Sequence, residues 1–390
     1  MTNPLRASGS AEDRLDGLRI AIVAGYVGEA GGAARAALLL AERLAGLGAE
    51  VSLFVSSLPQ TGVAELLDSA GVRLIPPFRR LPQRFWLTRY GVPSWRTVRA
   101  LAVVSRRTRF DLVLCVGVDP LLRAVLEQNA TAGAPVCAWE TTEALPISNF
   151  VDPEATAYVR RVQTLAVPSA TIEANARSTY GYDGAVVRLP FWVDPPEADS
   201  AVRHHPPVPH RLLFVGRLCE EKGIFDLVVA FGVLRAARPD VTLAVVGEGF
   251  ADEVRALAAE TEGIHLLGRI ANGAMDAVYA SADAVVLPSH HEGYPLTPLE
   301  ACARGLPVVL SRVGSVPELY GGRMCAELTD ARDRAGLTDA LARILQPDLY
   351  QARSADARRL FQEVSAPEAI DGFLRQMVRD TSVERVKRVG

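Results

Sequence analysis

The feature that most limits the fold is an alternation that runs, breaks and starts again. Arg19–Ala24 reads as a strand, Ala33–Leu47 as an amphipathic helix ending near Gly48, and Val51–Val55, Asp111–Val116 and Ala134–Ala138 as further strands. Strands that are apolar on both faces and separated by helices belong to a parallel sheet covered on both sides. Residues 195–210 interrupt the pattern with five prolines and little apolar content, which is linker composition. Alternation then resumes with strand Leu212–Val215, helix Ile224–Ala237, strand Thr242–Val246, helix Asp252–Ala259 and strand Ile264–Leu266. Helix Met275–Ser281, strand Ala284–Leu287, helix Pro298–Arg304 and strand Pro307–Leu310 follow. The pattern predicts an α/β chain of two Rossmann-like, doubly wound domains, residues 1–194 and 211–366, facing a central cleft. Ligands of such sheets bind beyond the carboxyl ends of the strands.

Composition narrows the function. The chain has 390 residues, 49% of them hydrophobic, and a net charge of −3. It has the apolar content for two cores, and its near-neutral charge argues against nucleic acid as a main partner. Five scattered cysteines with no CxxC pair read as free thiols in a reducing compartment. No apolar run reaches the ~18–20 residues of a membrane span. Leu18–Gly28 is read as the first strand rather than a signal segment, so a cytoplasmic location is expected. The basic residues comprise forty arginines and only two lysines, Lys222 and Lys387. High-GC coding explains the bias, and it makes each retained lysine conspicuous.

Three phosphate-binding signatures can be tested. The first βα turn, with Gly25, Gly28, Gly31 and Gly32, lacks the GxGxxG order, and the second strand ends in Ser56-Ser57 with no ribose-binding acid. Neither lysine lies in a Walker loop. The second domain opens differently: strand Leu212–Val215 runs into Gly216-Arg217-Leu218-Cys219-Glu220-Glu221-Lys222-Gly223 just before a helix. Arg217 and Lys222 then bracket a helix N-terminus, where free N–H groups and the macrodipole favour anions, and this suits a diphosphate without a metal. The plainer reading is a solvated loop in which both cations pair with Glu220 or Glu221.

Further on, Glu292 lies in a loop and Glu300, eight residues later, in the first turn of a helix. A carboxylate there can accept both hydroxyls of a ribose. The competing reading is a capping box with Thr297 as N-cap, Pro298 as the first helical residue and Glu300 at the third position. The adjacent His290 and His291 have no carboxylate or thiol cluster beside them, and no metal site is expected.

With these motifs assembled, the chain resembles the retaining GT-B glycosyltransferases of family 4. The likeness covers nearly the whole chain and is most specific over residues 211–322. Gly216-Arg217-Leu218 with Glu221-Lys222-Gly223 resembles that family's donor-diphosphate loop. Val246-Gly247-Glu248-Gly249 resembles its next glycine turn, Leu267-Gly268-Arg269-Ile270 the segment whose backbone meets the base, and Glu292 with Glu300 its paired glutamates. The resemblance implies that Arg217 and Lys222 neutralise the departing diphosphate and that Glu300 binds the ribose. It places Glu292 near the sugar, with the backbone of Gly293, Tyr294, Pro295 and Leu296 meeting sugar hydroxyls or phosphates. Gly31 and Gly32 resemble the N-terminal glycine pair at the cleft. Residues 367–390 would form the closing helix that returns to the first domain.

One departure stands out. Family members often carry a histidine after the fourth strand of the first domain, whereas all six histidines here follow residue 203. Glu140 or Glu143 is expected in that place, with Glu140 as a catalytic candidate. The expected activity is transfer of a sugar from a nucleoside-diphosphate sugar, UDP or GDP, to a hydroxyl of a small soluble acceptor. The alternatives are a lipid or polysaccharide acceptor at a membrane surface, a nucleotide-sugar epimerase on the same plan, or a silent nucleotide-sugar binder. Arg79 to Arg109 contains nine arginines, no acid and four interleaved aromatics, Phe85, Trp86, Tyr90 and Trp95. It reads either as weak contact with an anionic acceptor or membrane surface or as an exposed connector.

Overall fold

A computed structural model describes residues 14–25, 32–56, 63–76, 94–145, 154–196, 208–249 and 251–389. The described chain forms two compact units. One runs to Pro190 and includes Ile370 onward; the other is Phe191–Ala369.

The first unit carries β1 (Arg19–Ala24), β2 (Glu50–Val55), β3 (Arg73–Ile75), β4 (Leu112–Val116), β5 (Val136–Trp139), β6 (Thr164–Val167) and β7 (Ala185–Arg188). They form one parallel sheet in the order β3-β2-β1-β4-β5-β6-β7. Ile20 pairs with Val51 on one side and with Leu112 on the other, so the strand order reverses between β1 and β4. Every residue of β4 and β5 is buried, as expected for strands covered on both faces. Polar side chains close the helix starts. Asp119 accepts the N–H groups of Leu121 and Leu122 at 2.9 and 3.0 Å, and Ser169 accepts that of Ile172 at 3.1 Å. The last helix, Pro367–Val389, is tied to this unit by an ion pair from Arg43 to Asp371 at 2.5 Å.

The second unit carries β8 (Arg211–Val215), β9 (Thr242–Val246), β10 (Ile264–Gly268), β11 (Ala284–Leu287), β12 (Val308–Ser311) and β13 (Ala326–Thr329), in the order β10-β9-β8-β11-β12-β13. Its reversal lies between β8 and β11. The fold class expected from the alternation is therefore the one observed: two doubly wound parallel sheets. Strands β3, β6, β7 and β13 have no counterpart in the alternation pattern. Each has three or four residues, and β3, β7 and β13 are partly exposed edge strands, RLI, AVVR and AELT, which are not continuous apolar runs.

Asp283, just before β11, holds the central strands together at their start. It is fully buried and accepts the backbone N–H groups of His210 and Arg211 at 3.0 and 2.9 Å and the Arg211 guanidinium at 2.7 Å. Burial alone would raise its pKa, but the bonds from Arg211 and His210 outweigh it and hold the carboxyl below its usual value. A depressed folded-state pKa adds stability above the unfolded value of about 3.9, and that stability is lost as pH falls through the folded value. Asp283→Asn is therefore expected to melt lower at pH 7 and to lose less further stability than the parent between neutral pH and about pH 3. Thermal melts of both proteins across that range check the sign.

Candidate functional site

The site candidates of the second unit gather on loops at the carboxyl ends of β8 to β12, and glycines let those loops touch. The loop after β8 continues to pair with the loop after β9 beyond the sheet. Gly216 N–H donates to the Val246 carbonyl at 3.0 Å, and Leu218 N–H to the Glu248 carbonyl at 2.7 Å. Gly247 (φ +148°) would place a Cβ 1.8 Å from the Gly216 carbonyl, and Gly249 (φ +144°) 2.3 Å from that of Leu218. Gly247 also donates to the Gly268 carbonyl at 3.0 Å, which brings the end of β10 alongside. Arg269, exposed, and Ile270, half-buried, follow there.

Glu220–Lys222 form one 3-10 turn, and Gly223 (φ +68°) starts helix Ile224–Ala237. A Cβ on Gly223 would sit 1.9 Å from the Pro288 carbonyl, so this glycine sets the β8 loop against the β11 loop. The two cations then part company. Arg217 is exposed and pairs with Glu221 at 3.2 Å, the solvated arrangement. Lys222 pairs with neither Glu220 nor Glu221. Its Nζ donates to Glu292 Oε1 at 2.5 Å, and Ser289 Oγ donates to the same oxygen at 2.7 Å. Both members of the Lys222–Glu292 pair are mostly buried, at 20% and 10% exposure. Two residues seventy positions apart in sequence, singled out by separate motifs, thus meet.

The competing capping-box reading does not hold, and the helix bounds are corrected. The helix is Leu296–Ala303, not Pro298–Arg304, and Pro295 precedes it without a side-chain cap. Thr297 Oγ1 instead donates to the Val215 carbonyl at the end of β8, 3.3 Å away. Glu300 Oε2 accepts the Tyr279 hydroxyl at 2.6 Å, and the Arg304 guanidinium lies 4.8 Å from the Tyr279 ring. Glu300 is accordingly a half-buried carboxylate held from the side by a phenol. Gly293 is half-buried, and its carbonyl accepts Ser315 N–H at 3.0 Å. Tyr294 is buried with its ring 5.7 Å from Phe191, and burial pushes its hydroxyl pKa upward. Pro295 has no N–H to offer a ligand, which leaves Gly293, Tyr294 and Leu296 as the donors of that turn. Gly314 went unnoticed in the sequence. At φ +52° it would put a Cβ 1.6 Å from the Glu292 carbonyl, so its lack of a side chain is what lets the β12 loop support Glu292. A lone glycine one turn past a short apolar strand was its only signal.

In the first unit, Gly31 lies outside the described residues, and Gly32 opens helix Gly32–Gly46. Glu140 contrasts with its expected sugar-facing role. It is fully buried; Oε1 accepts the N–H and hydroxyl of Thr142 at 2.7 and 2.8 Å, and Oε2 accepts the Tyr180 hydroxyl at 2.6 Å. The carboxylate caps its own loop. Glu143 is also buried. Glu140→Ala is expected to cost about 1–3 kcal/mol of stability, because it strands the Tyr180 hydroxyl. Any residual activity should track the folded fraction. Urea unfolding alongside a per-folded-molecule rate checks this, and a rate loss far beyond the unfolded fraction would restore a chemical role. Of the arginine-rich stretch, residues 79–93 lie outside the described residues. In helix Ser94–Thr108 and just beyond, Arg99, Arg106, Arg107 and Arg109 are exposed, and buried Arg96 stacks its guanidinium 5.2 Å from Trp95. Among the described residues no helix is long and apolar enough to cross a membrane, and no three His, Cys, Asp or Glu side chains group as a metal site.

Two family profiles match the chain: Glycosyltransferase Family 4 over residues 30–197 and Glycosyl transferases group 1 over residues 209–347. Glycogen synthase of Mycobacterium tuberculosis is 31% identical over 206 residues, which is 52% of this chain and 50% of that protein. The chain thus matches about half the length of that relative. Phosphatidyl-myo-inositol mannosyltransferase of Mycolicibacterium smegmatis is 27% identical over 86% of both chains. Among solved structures, Anabaena HepE in complex with UDP and glucose superposes with a TM-score of 0.74 at 16% identity, covering 92% of this chain and 99% of that one.

Proposed function

From a chain that belongs to the family 4, group 1 glycosyltransferases, we propose an enzyme that moves a sugar from a nucleoside diphosphate, UDP or GDP, to a hydroxyl of a small soluble acceptor. Configuration is retained at the transferred carbon, and no metal ion is needed. The observation that carries this reading is the pairing of Lys222 with Glu292 at the strand-order reversal of the second sheet. As the glycosidic bond breaks, negative charge grows on the diphosphate. A fixed ammonium at a helix start, with Arg217 in the same loop, stabilises that charge more in the transition state than in the ground state. Glu292 is the counter-charge that holds Lys222 in place. The Tyr279-buttressed Glu300 suits a pair of ribose hydroxyls, and the segment from Gly293 to Leu296 offers amides to the sugar or phosphates. The UDP complex of HepE supports a nucleotide donor.

A second reading, transfer to a lipid acceptor at an anionic surface, draws on the exposed arginines of helix Ser94–Thr108 and on the phosphatidyl-myo-inositol mannosyltransferase among the relatives. A panel of nucleotide sugars tests the main reading. At one hundred times Kd, the true donor adds about 2.7 kcal/mol of stability. Melts that shift with no nucleotide or nucleotide sugar would sink it. Interconversion of donor sugars without acceptor would indicate an epimerase, and flotation with anionic vesicles would favour the lipid acceptor.

A further inference from the structure

The loop after β11 holds a histidine that the proposed transfer does not use. His290 is 7% exposed, and its Nε2 lies 2.8 Å from Asp226 Oδ2. Asp226 stands in the first turn of helix Ile224–Ala237, four residues beyond Lys222, and His290 stands two residues before Glu292. The other oxygen of Asp226 accepts Arg334 Nε at 2.6 Å, from the first residue of helix Arg334–Ile344. The backbone joins in: His290 N–H donates to the Glu221 carbonyl at 2.8 Å. The segment carrying Lys222 and the segment carrying Glu292 are therefore stitched together twice, by a main-chain bond and by a buried side-chain bridge.

The chemistry of the bridge is specific. Facing a carboxylate, Nε2 carries the proton and donates it. Nδ1 is buried and has no hydrogen-bond partner among the described residues. An unpartnered buried nitrogen costs free energy, which a leucine of similar size would avoid. What a histidine alone adds at this position is the bond to Asp226. Burial would push the Asp226 carboxyl pKa up, but the bonds from Arg334 and His290 bring it below its usual value, so the acceptor stays charged.

We propose that Arg334, Asp226 and His290 form a positioning clamp that sets the base of the Lys222 side chain against the diphosphate. The inference rests on the transferase reading. A lysine ammonium on four rotatable carbons is aimed only if its backbone is held, and the clamp grips that backbone on the far side of Gly223. None of the three clamp residues need touch the donor.

The test compares nucleoside diphosphate with nucleoside monophosphate, using UDP and UMP, and GDP and GMP, on the full-length chain. In His290→Leu, affinity for the preferred diphosphate is expected to fall about tenfold while that for its monophosphate changes less than about twofold. His290→Gln, which can still donate to Asp226, is expected to stay within about threefold of the parent on both. Asp226→Asn keeps the side-chain volume and provides the same comparison should His290→Leu fail to fold; about a fivefold selective loss is expected. Equal losses on both ligands, or no loss on either, would overturn the clamp and leave the transferase reading standing. A parent protein that binds UDP no better than UMP and GDP no better than GMP would overturn both.

Discussion

Lys222→Ala is expected to slow sugar transfer by roughly 10²- to 10³-fold while leaving a folded protein. The magnitude follows from the removal of one preorganised charge from the place where leaving-group charge develops. Stability should fall by only about 1–2 kcal/mol, because Glu292 keeps its bond from Ser289. Lys222→Arg is not expected to rescue the rate. A planar fork is longer than an ammonium, spreads its charge and cannot occupy the same short contact with Glu292. Lys387→Ala, at the only other lysine, is expected to leave the rate unchanged. Nucleoside-diphosphate release over time, with a melt of each variant, is the measurement. A Lys222→Ala enzyme within about threefold of the parent would remove Lys222 from the chemistry.

The second large effect is expected at a residue with no side chain. Gly314→Ala should cost about 2–4 kcal/mol of stability and about 10²-fold in rate. The new methyl would have to occupy space 1.6 Å from the Glu292 carbonyl and 2.9 Å from that of Gly293, both backbone atoms that cannot rotate away. The loop carrying Glu292 must therefore move, and the partner of Lys222 moves with it. Gly322→Ala is the matched control: its φ of +73° is also left-handed, but nothing lies within 4 Å of the new Cβ. It should show backbone strain alone, about 1–2 kcal/mol, with the rate per folded molecule unchanged. Urea unfolding and kcat/KM of both variants separate the two contributions. A Gly314→Ala enzyme as stable and active as the parent would show that the loop tolerates the shift.

Much of this was legible in the sequence because the two sheets are parallel and buried. Burial on both faces writes each long strand as a continuous apolar run, so β1, β2, β4 and most of the second sheet are visible as such. The edge strands β3, β7 and β13 are only partly buried and are not written as continuous apolar runs. Local motifs drew attention to Lys222 and Glu292 on strand-to-helix loops and to Glu300 in the helix that follows. What spacing cannot express is partnership across the sheet. Nothing near position 222 announces Glu292, and nothing near 300 announces Tyr279. The same blindness made Thr297 look like a helix cap, when it lies inside helix Leu296–Ala303 and its hydroxyl donates to the carbonyl at the end of β8. Glu140 also has a partner that its neighbours in sequence do not announce. Expected in the place of a family histidine, it is buried, and the Tyr180 hydroxyl, forty residues on, donates to it.

The glycines of the second unit have a consequence for recombination. Gly223, Gly247, Gly249 and Gly314 each abut a main-chain carbonyl, those of Pro288, Gly216, Leu218 and Glu292. A contact of glycine with backbone is indifferent to the side chain borne by the partner position. Segments exchanged between this chain and a relative should remain compatible wherever the glycines are kept, even with crossovers placed between a glycine and the strand it touches. The loops can then be shuffled as modules, and diversity in sugar or base preference can be sought in the side chains without rebuilding the frame that holds them.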